Sequence, residues 1–121
     1  MKIVISAISP DLDSVIDPRF GRAAYFVIVD THTLEWQSYP NPGTNASSGA
    51  GTQAAQYIAS LGAGVVVSGD FGPNAYKALD AAGIAMYLLG TSQTVREAVR
   101  NYKADQLALV NAPTAPGHHM H

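Results

Sequence analysis

The sequence predicts one α/β domain whose elements follow the order β-β-β-α-β-α-β-α. Three observations lead there. Short β-branched and aromatic runs recur along the chain, and the later ones alternate with stretches whose apolar residues fall at helical spacing. Glycine, proline and asparagine separate the segments. With 121 residues, 47% of them apolar, the chain can build one core of ordinary size but not two.

Lys2 to Ala7 and Tyr25 to Val29 are β-branched runs bounded by polar residues, as buried strands are. Leu34 to Tyr39 alternates, with Leu34, Trp36 and Ser38 on one face, and Asp30-Thr31-His32-Thr33 before it suits a hairpin turn. The second and third strands are therefore expected to be antiparallel. From Pro40 to Gly51 the chain is nearly free of large apolar side chains, a long loop for so small a domain.

Ala54, Ile58 and Leu61 then give one helical stripe, stopped by Gly62 and Gly64, and Val65 to Val67 form the fourth strand. Pro73 fits the first position of a second helix with Ala75, Leu79 and Ala82 buried and Gly83 ending it. Ile84 to Leu89 is the fifth strand. Thr91 or Ser92 is expected to cap a third helix carrying Val95, Ala98, Val99 and Tyr102 inward. The β-α-β succession implies right-handed parallel crossovers, so the five-stranded sheet is mixed. The domain spans 1–110, and residues 111–121, which end His118-His119-Met120-His121, are expected to form a flexible tail.

Composition removes several function classes. Charged residues are 13% of the chain and the formal net charge is −2, so no basic footprint for nucleic acid or a membrane surface is expected. The first apolar run turns into Pro10-Asp11-Leu12-Asp13 too soon for a signal peptide, which points to the cytoplasm. With no cysteine there is no disulfide, no thiol nucleophile and no thiolate-ligated metal.

Three stretches carry a family resemblance. They are Asp13-Ser14-Val15-Ile16-Asp17-Pro18-Arg19-Phe20-Gly21-Arg22-Ala23 leading into Tyr25-Phe26, then Gly49-Ala50-Gly51-Thr52-Gln53-Ala54-Ala55, then Gly69-Asp70-Phe71-Gly72-Pro73-Asn74-Ala75, with Ala82-Gly83-Ile84 as a fourth match. Together they resemble the dinitrogenase iron-molybdenum cofactor-binding family. The resemblance implies a ribonuclease-H-like, three-layer fold without nuclease activity, and the binding or delivery of a metal–sulfur cluster instead of catalysis. Lacking cysteine in its glycine loops, the chain is most similar to the orange-protein branch, which holds a molybdenum–copper sulfide cluster without thiolate anchors. That cluster, or a related molybdenum-containing one, is the implied cofactor, and a protein that donates or accepts it is the implied partner.

The residues fit such a guest on their own chemistry. A thiometallate cluster is a compact polyanion with soft sulfur faces, suited by cations and N–H donors. Arg19 and Arg22 offer forked guanidinium donors. Ser47, Ser48, Gly49, Gly51 and Thr52 lead into the first helix, and Gly72 and Asn74 into the second, so two helix N-termini can present amides to one anion. His118, His119 and His121 supply imidazoles of the kind copper takes.

Each feature has a plainer reading: ion pairs of the arginines with Asp13 or Asp17, glycines as linker or helix entry, a solvated tail, a solvated His32, and a core or partner-facing Trp36. Three other functions compete. Gly49-x-Gly51-x-x-Ala54 with Asp70 loosely fits a dinucleotide fingerprint, although it does not leave a strand directly. Asp11, Asp13, Asp17 and Asp70 suggest a two-metal nuclease, although three of them share one loop. The third is a regulatory module that docks a partner protein.

Overall fold

The computed structural model describes residues 1–44 and 48–114 of the chain. Its strands are β1 (Lys2–Ala7), β2 (Tyr25–Asp30), β3 (Trp36–Pro40), β4 (Val65–Ser68) and β5 (Ala85–Leu88). The helices are α1 (Ala50–Ser60), α2 (Pro73–Ala81) and α3 (Val95–Lys103), and a short 3-10 turn spans Phe20–Arg22. The order of elements is the one the sequence predicts.

The sheet order is β3-β2-β1-β4-β5. β2 runs antiparallel to both β1 and β3, while β4 and β5 run parallel to β1 and to each other. Four strands thus point one way, and their carboxyl ends meet the start of β2 at one end of the sheet. Residues 108–110 lie along the outer edge of β5: Leu88 N–H donates to Ala108 C=O (3.0 Å) and Val110 N–H to Met86 C=O (2.8 Å).

Alternation along the strands fills two cores. Val4, Phe26, Ile28, Val66 and Met86 face α1 and α2, meeting Ala54, Ala55, Ile58, Ala75 and Leu79. Ile3, Ile5, Val27, Val29 and Val67 face the opposite way and meet Val95, Ala98 and Val99 of α3. One face therefore carries two helices and the other a single helix, which makes three layers. Each fully buried aliphatic side chain contributes about 1.5–3 kcal/mol, so these alternating positions dominate the folding energy.

Three local expectations are corrected. β3 starts at Trp36, not Leu34, because the turn is longer than its polar residues suggest. The Asp30 carboxylate accepts the His32 and Thr33 amides (2.8 and 3.1 Å), Leu34 N–H donates to Asp30 C=O (2.8 Å), and Leu34 lies in the left-handed region at φ 65°. Ala82 is exposed at the C-cap of α2 and is not part of its buried stripe. The cap of α3 is Thr94, not Thr91 or Ser92: its hydroxyl accepts Glu97 N–H (3.2 Å), and the Glu97 carboxylate accepts Gln93 N–H (2.8 Å). That reciprocal pair is a capping-box arrangement shifted by one residue on the glutamate side. Thr94→Ala is expected to cost about 1 kcal/mol, read from urea unfolding midpoints. An unchanged midpoint would show that the cap carries no weight.

Candidate functional site

Ser6 and Ser68, near the ends of β1 and β4, are fully buried. The Ser6 hydroxyl donates to Asp17 C=O (2.6 Å), with the Ser68 hydroxyl 2.8 Å away. These bonds hold the Asp17-Pro18-Arg19 segment against the sheet's end. The same segment is zipped to the residues leaving β4: Asp70 N–H donates to Pro18 C=O (2.8 Å), and Arg19 bridges Asp70. Phe20 plugs into the core, 2% exposed, between Phe26 and Phe71 at ring-centroid distances of 5.5 and 5.7 Å.

Behind Phe20, three backbones touch. A Cβ built on Gly21 would lie 3.0 Å from the Cα and N of Gly51, and one on Gly51 would lie 2.9 Å from the Ala75 Cβ. Only glycine at both positions lets the 3-10 turn, the start of α1 and the first turn of α2 approach this closely. The arginine-bearing stretch and the two glycine-bearing helix starts therefore share one neighbourhood at the carboxyl end of the sheet.

Gly49 is the N-cap of α1 at φ 74° and Gly72 the N-cap of α2, and neither supplies a side-chain cap. The leading amides of both helices have no carbonyl of their own helix to meet. An added Cβ at Gly49 or Gly72 would touch nothing within 4 Å among the described residues. Gly51 and Thr52 belong to the first turn of α1 and are half-buried; Ser48 and Asn74 are exposed. Ser47, His118, His119 and His121 lie outside the described residues.

The two arginines are held differently. Arg19 grips the buried Asp17 side-on, with Nε to Oδ1 at 3.2 Å and Nη2 to Oδ2 at 3.1 Å, so the plainer ion-pair reading does apply to it. Hydrogen bonding to Asp17, and secondarily its charge, keep the guanidinium above its already high range. Its side chain is nonetheless 65% exposed, leaving the outer edge of the fork toward solvent. Arg22 is exposed and donates from Nη1 to Thr44 C=O (3.2 Å), which ties it to the loop before α1.

Three residues outside the predicted cofactor-binding set shape this end of the sheet. Asn41 is buried and donates to the carbonyls of Gly21 (3.1 Å) and Ala23 (2.9 Å) while accepting Gly43 N–H (2.9 Å). An asparagine in Pro40-Asn41-Pro42-Gly43 carries an Asx-turn signal, which is where it was legible. Asp70 buries an oxygen, Oδ1, that accepts no hydrogen bond among the described residues. An orphaned buried carboxylate oxygen is costly, so this atom calls for a donor or a cation and not for an anion. Thr114, in the segment expected to be mobile, exchanges two hydrogen bonds with Phe71, at 2.8 and 3.0 Å, and so starts the tail beside Gly72.

The four aspartates go separate ways: Asp13 pairs with Arg96 (2.9 Å), Asp17 with Arg19, Asp11 Oδ1 accepts Asp13 N–H (2.8 Å), and Asp70 Oδ1 has no donor among the described residues. Among the described residues no three His, Asp or Glu side chains come together as a metal-binding group. The glycine fingerprint opens a helix that follows the sheet-edge strand β3 across a loop, which is not the strand-to-helix turn dinucleotide binding uses. Two grooves, of ≈ 560 and ≈ 380 Å³, lie away from this end of the sheet, one beside Lys2 and Leu61, the other beside α3. No helix among the described residues is long and apolar enough to cross a membrane.

A sequence profile described as dinitrogenase iron-molybdenum cofactor matches residues 1–105. The chain belongs to that family. Among solved structures, the apo form of the orange protein from Desulfovibrio gigas is similar at 42% identity and a TM-score of 0.91, covering 94% of this chain and 96% of that one. A putative NifB protein from Thermotoga is 29% identical with a TM-score of 0.83, covering 96% and 98%. An uncharacterized protein of Methanocaldococcus jannaschii is 29% identical over 96 residues, 76% of this chain and 81% of the relative. The fold shared with these two solved structures is the five-stranded mixed sheet described above.

Proposed function

We propose that this chain binds and carries, without covalent anchorage, a molybdenum-containing metal–sulfur cluster, most simply a molybdenum–copper sulfide cluster, as cargo. The observation that carries the reading is the backbone contact from Gly21 through Gly51 to Ala75. It gathers Arg19, Arg22, Ser48 to Thr52 and Gly72 to Asn74 around one end of the sheet. Main-chain amides at two uncapped helix starts, together with the guanidinium groups of Arg19 and Arg22, would make a donor set suited to a compact polyanion. Membership of the family and the likeness to the orange protein support a metal–sulfur cargo over other anions. The orphaned Asp70 oxygen suits a guest that also contains electropositive metal.

In this reading the protein performs no chemistry of its own; redox and substitution steps belong to the cluster. The partners are a protein that supplies the cluster and one that receives it, in the cytoplasm. His118, His119 and His121 add imidazole ligands from a tail whose last described residue, Thr114, is fixed to Phe71 beside α2.

The test is an optical titration of wild type and the Arg19→Ala/Arg22→Ala double variant with tetrathiomolybdate and copper. Hydrogen bonds to charged groups contribute about 1.5–3 kcal/mol each, so apparent affinity is expected to fall by about tenfold or more. Because Arg19 also pairs with buried Asp17, unfolding midpoints are measured alongside, and the loss in capture should persist at temperatures where both proteins are folded. Equal capture by the two proteins would take the arginines out of the site. Failure of the wild type to retain molybdenum and copper through gel filtration would end the cluster reading itself.

A further inference from the structure

On the face of the sheet opposite α1 and α2, a groove of ≈ 380 Å³ runs beside α3. Its apolar residues are Leu12, Val29, Leu34 and Val99. Its rim is cationic. Arg96, Arg100 and Lys103 sit at i, i+4 and i+7 of α3, on one helix face, and together make up three of the seven Lys and Arg in the chain. Like charges at i and i+4 oppose each other along this row, while Arg100 and Lys103, in the last turn, meet the negative end of the helix dipole. Asp13 pairs with Arg96, whereas Arg100 and Lys103 make no ion pair among the described residues.

Leu34 is the second anomaly at the same spot. It is 53% exposed and holds a left-handed backbone at φ 65°, imposed by the Asp30-organised turn and unfavourable for a γ-branched side chain. The turn thus combines backbone strain with an apolar side chain in water, and sets that side chain at the mouth of the groove. Strain of this kind persists where surrounding structure enforces it and clusters at binding surfaces.

We propose that this groove is a docking site for an acidic amphipathic helix of a partner protein. Apolar side chains at i, i+3 and i+4 of that helix would enter between Leu12, Leu34 and Val99, and its carboxylates would meet Arg100 and Lys103. A concave apolar floor suits a ridge of side chains better than a flat bilayer. Two cations without an ion pair among the described residues are also few for an anionic membrane surface. The surface is on the other side of the sheet from the cargo end, so the inference does not depend on what the cargo is.

The experiment is an amide chemical-shift titration of the full chain with a synthetic Leu/Glu helical peptide. The comparison probes are the same peptide with Lys for Glu, decanoate, and phosphatidylserine vesicles. The acidic peptide is expected to shift Leu12, Leu34, Val99 and Arg100, and to bind about tenfold more tightly than the basic one, as charge complementarity of two pairs allows. Arg100→Glu with Lys103→Glu should reverse that order. Leu34→Gly should raise the melting temperature by a few degrees, since glycine accepts positive φ, and yet weaken peptide binding.

Equal binding of the two peptides, shifts centred on Gly49 to Thr52, or an unreversed preference in the double variant would overturn the proposal. So would a Leu34→Gly variant that binds like wild type. Decanoate or vesicles producing the same shifts at lower concentration would assign the groove to a small amphiphile or a lipid surface and refute the protein partner.

Discussion

Phe20→Ala is expected to destabilise the fold by about 3–5 kcal/mol, the range for truncating a buried aromatic. Phe20 is 2% exposed and is the middle ring of a cluster with Phe26 of β2 and Phe71 of the β4–α2 connection. Its loss removes contacts to both and opens a cavity beneath the one turn that carries Arg19, Gly21 and Arg22. Against a total stability of about 5–15 kcal/mol for a domain, that is a large fraction. Urea unfolding measures it, and amide exchange at Gly21 and Arg22 should quicken in step. A loss under about 1 kcal/mol would mean that the ring is not the anchor its burial implies.

Gly69→Ala is expected to cost about 3 kcal/mol, at the upper end for forcing an extra methyl into packed surroundings. The new Cβ would fall 2.4 Å from Pro18 Cβ, 2.7 Å from its Cα and 2.9 Å from its carbonyl oxygen. None of these atoms belongs to a flexible side chain, so the Pro18–Arg19 segment must move off the chain leaving β4. The bond from Asp70 N–H to Pro18 C=O, now 2.8 Å, would lengthen or break. Gly72→Ala is the internal control. Gly72 has φ −67° and open space around it among the described residues, so the same substitution three positions later should leave stability nearly unchanged. Similar losses at both positions would refute the close-approach argument.

The fold was legible because its signals are redundant. Val65 to Val67 and Ala54, Ile58 announce strand and helix by period alone, and both are buried as that period requires. The errors arose where two local signals competed. Leu34 looks like a strand residue by its apolar side chain, yet the Asp30 carboxylate organises a turn that includes it. Thr91, Ser92 and Thr94 all suit an N-cap, and the deciding residue was Glu97, which rewards only Thr94. For the candidate site, the pairing of Arg19 with Asp17 is two residues long and readable in sequence. The meeting of Gly21 with Gly51 and of Gly51 with Ala75 is not, because it depends on how α1 and α2 pack over the sheet. The orphaned oxygen of Asp70 is invisible for the same reason: only the packed neighbourhood shows which donors fail to arrive.

Since residues 108–110 already pair with β5, that flank ends in a three-residue stub, while β3 pairs with nothing on its outer side among the described residues. A fibre grows when the first border of one molecule accepts the last border of the next. A stub that short is a poor template for such growth. The favoured strand pairing between copies is then β3 against β3, which exhausts itself at a pair.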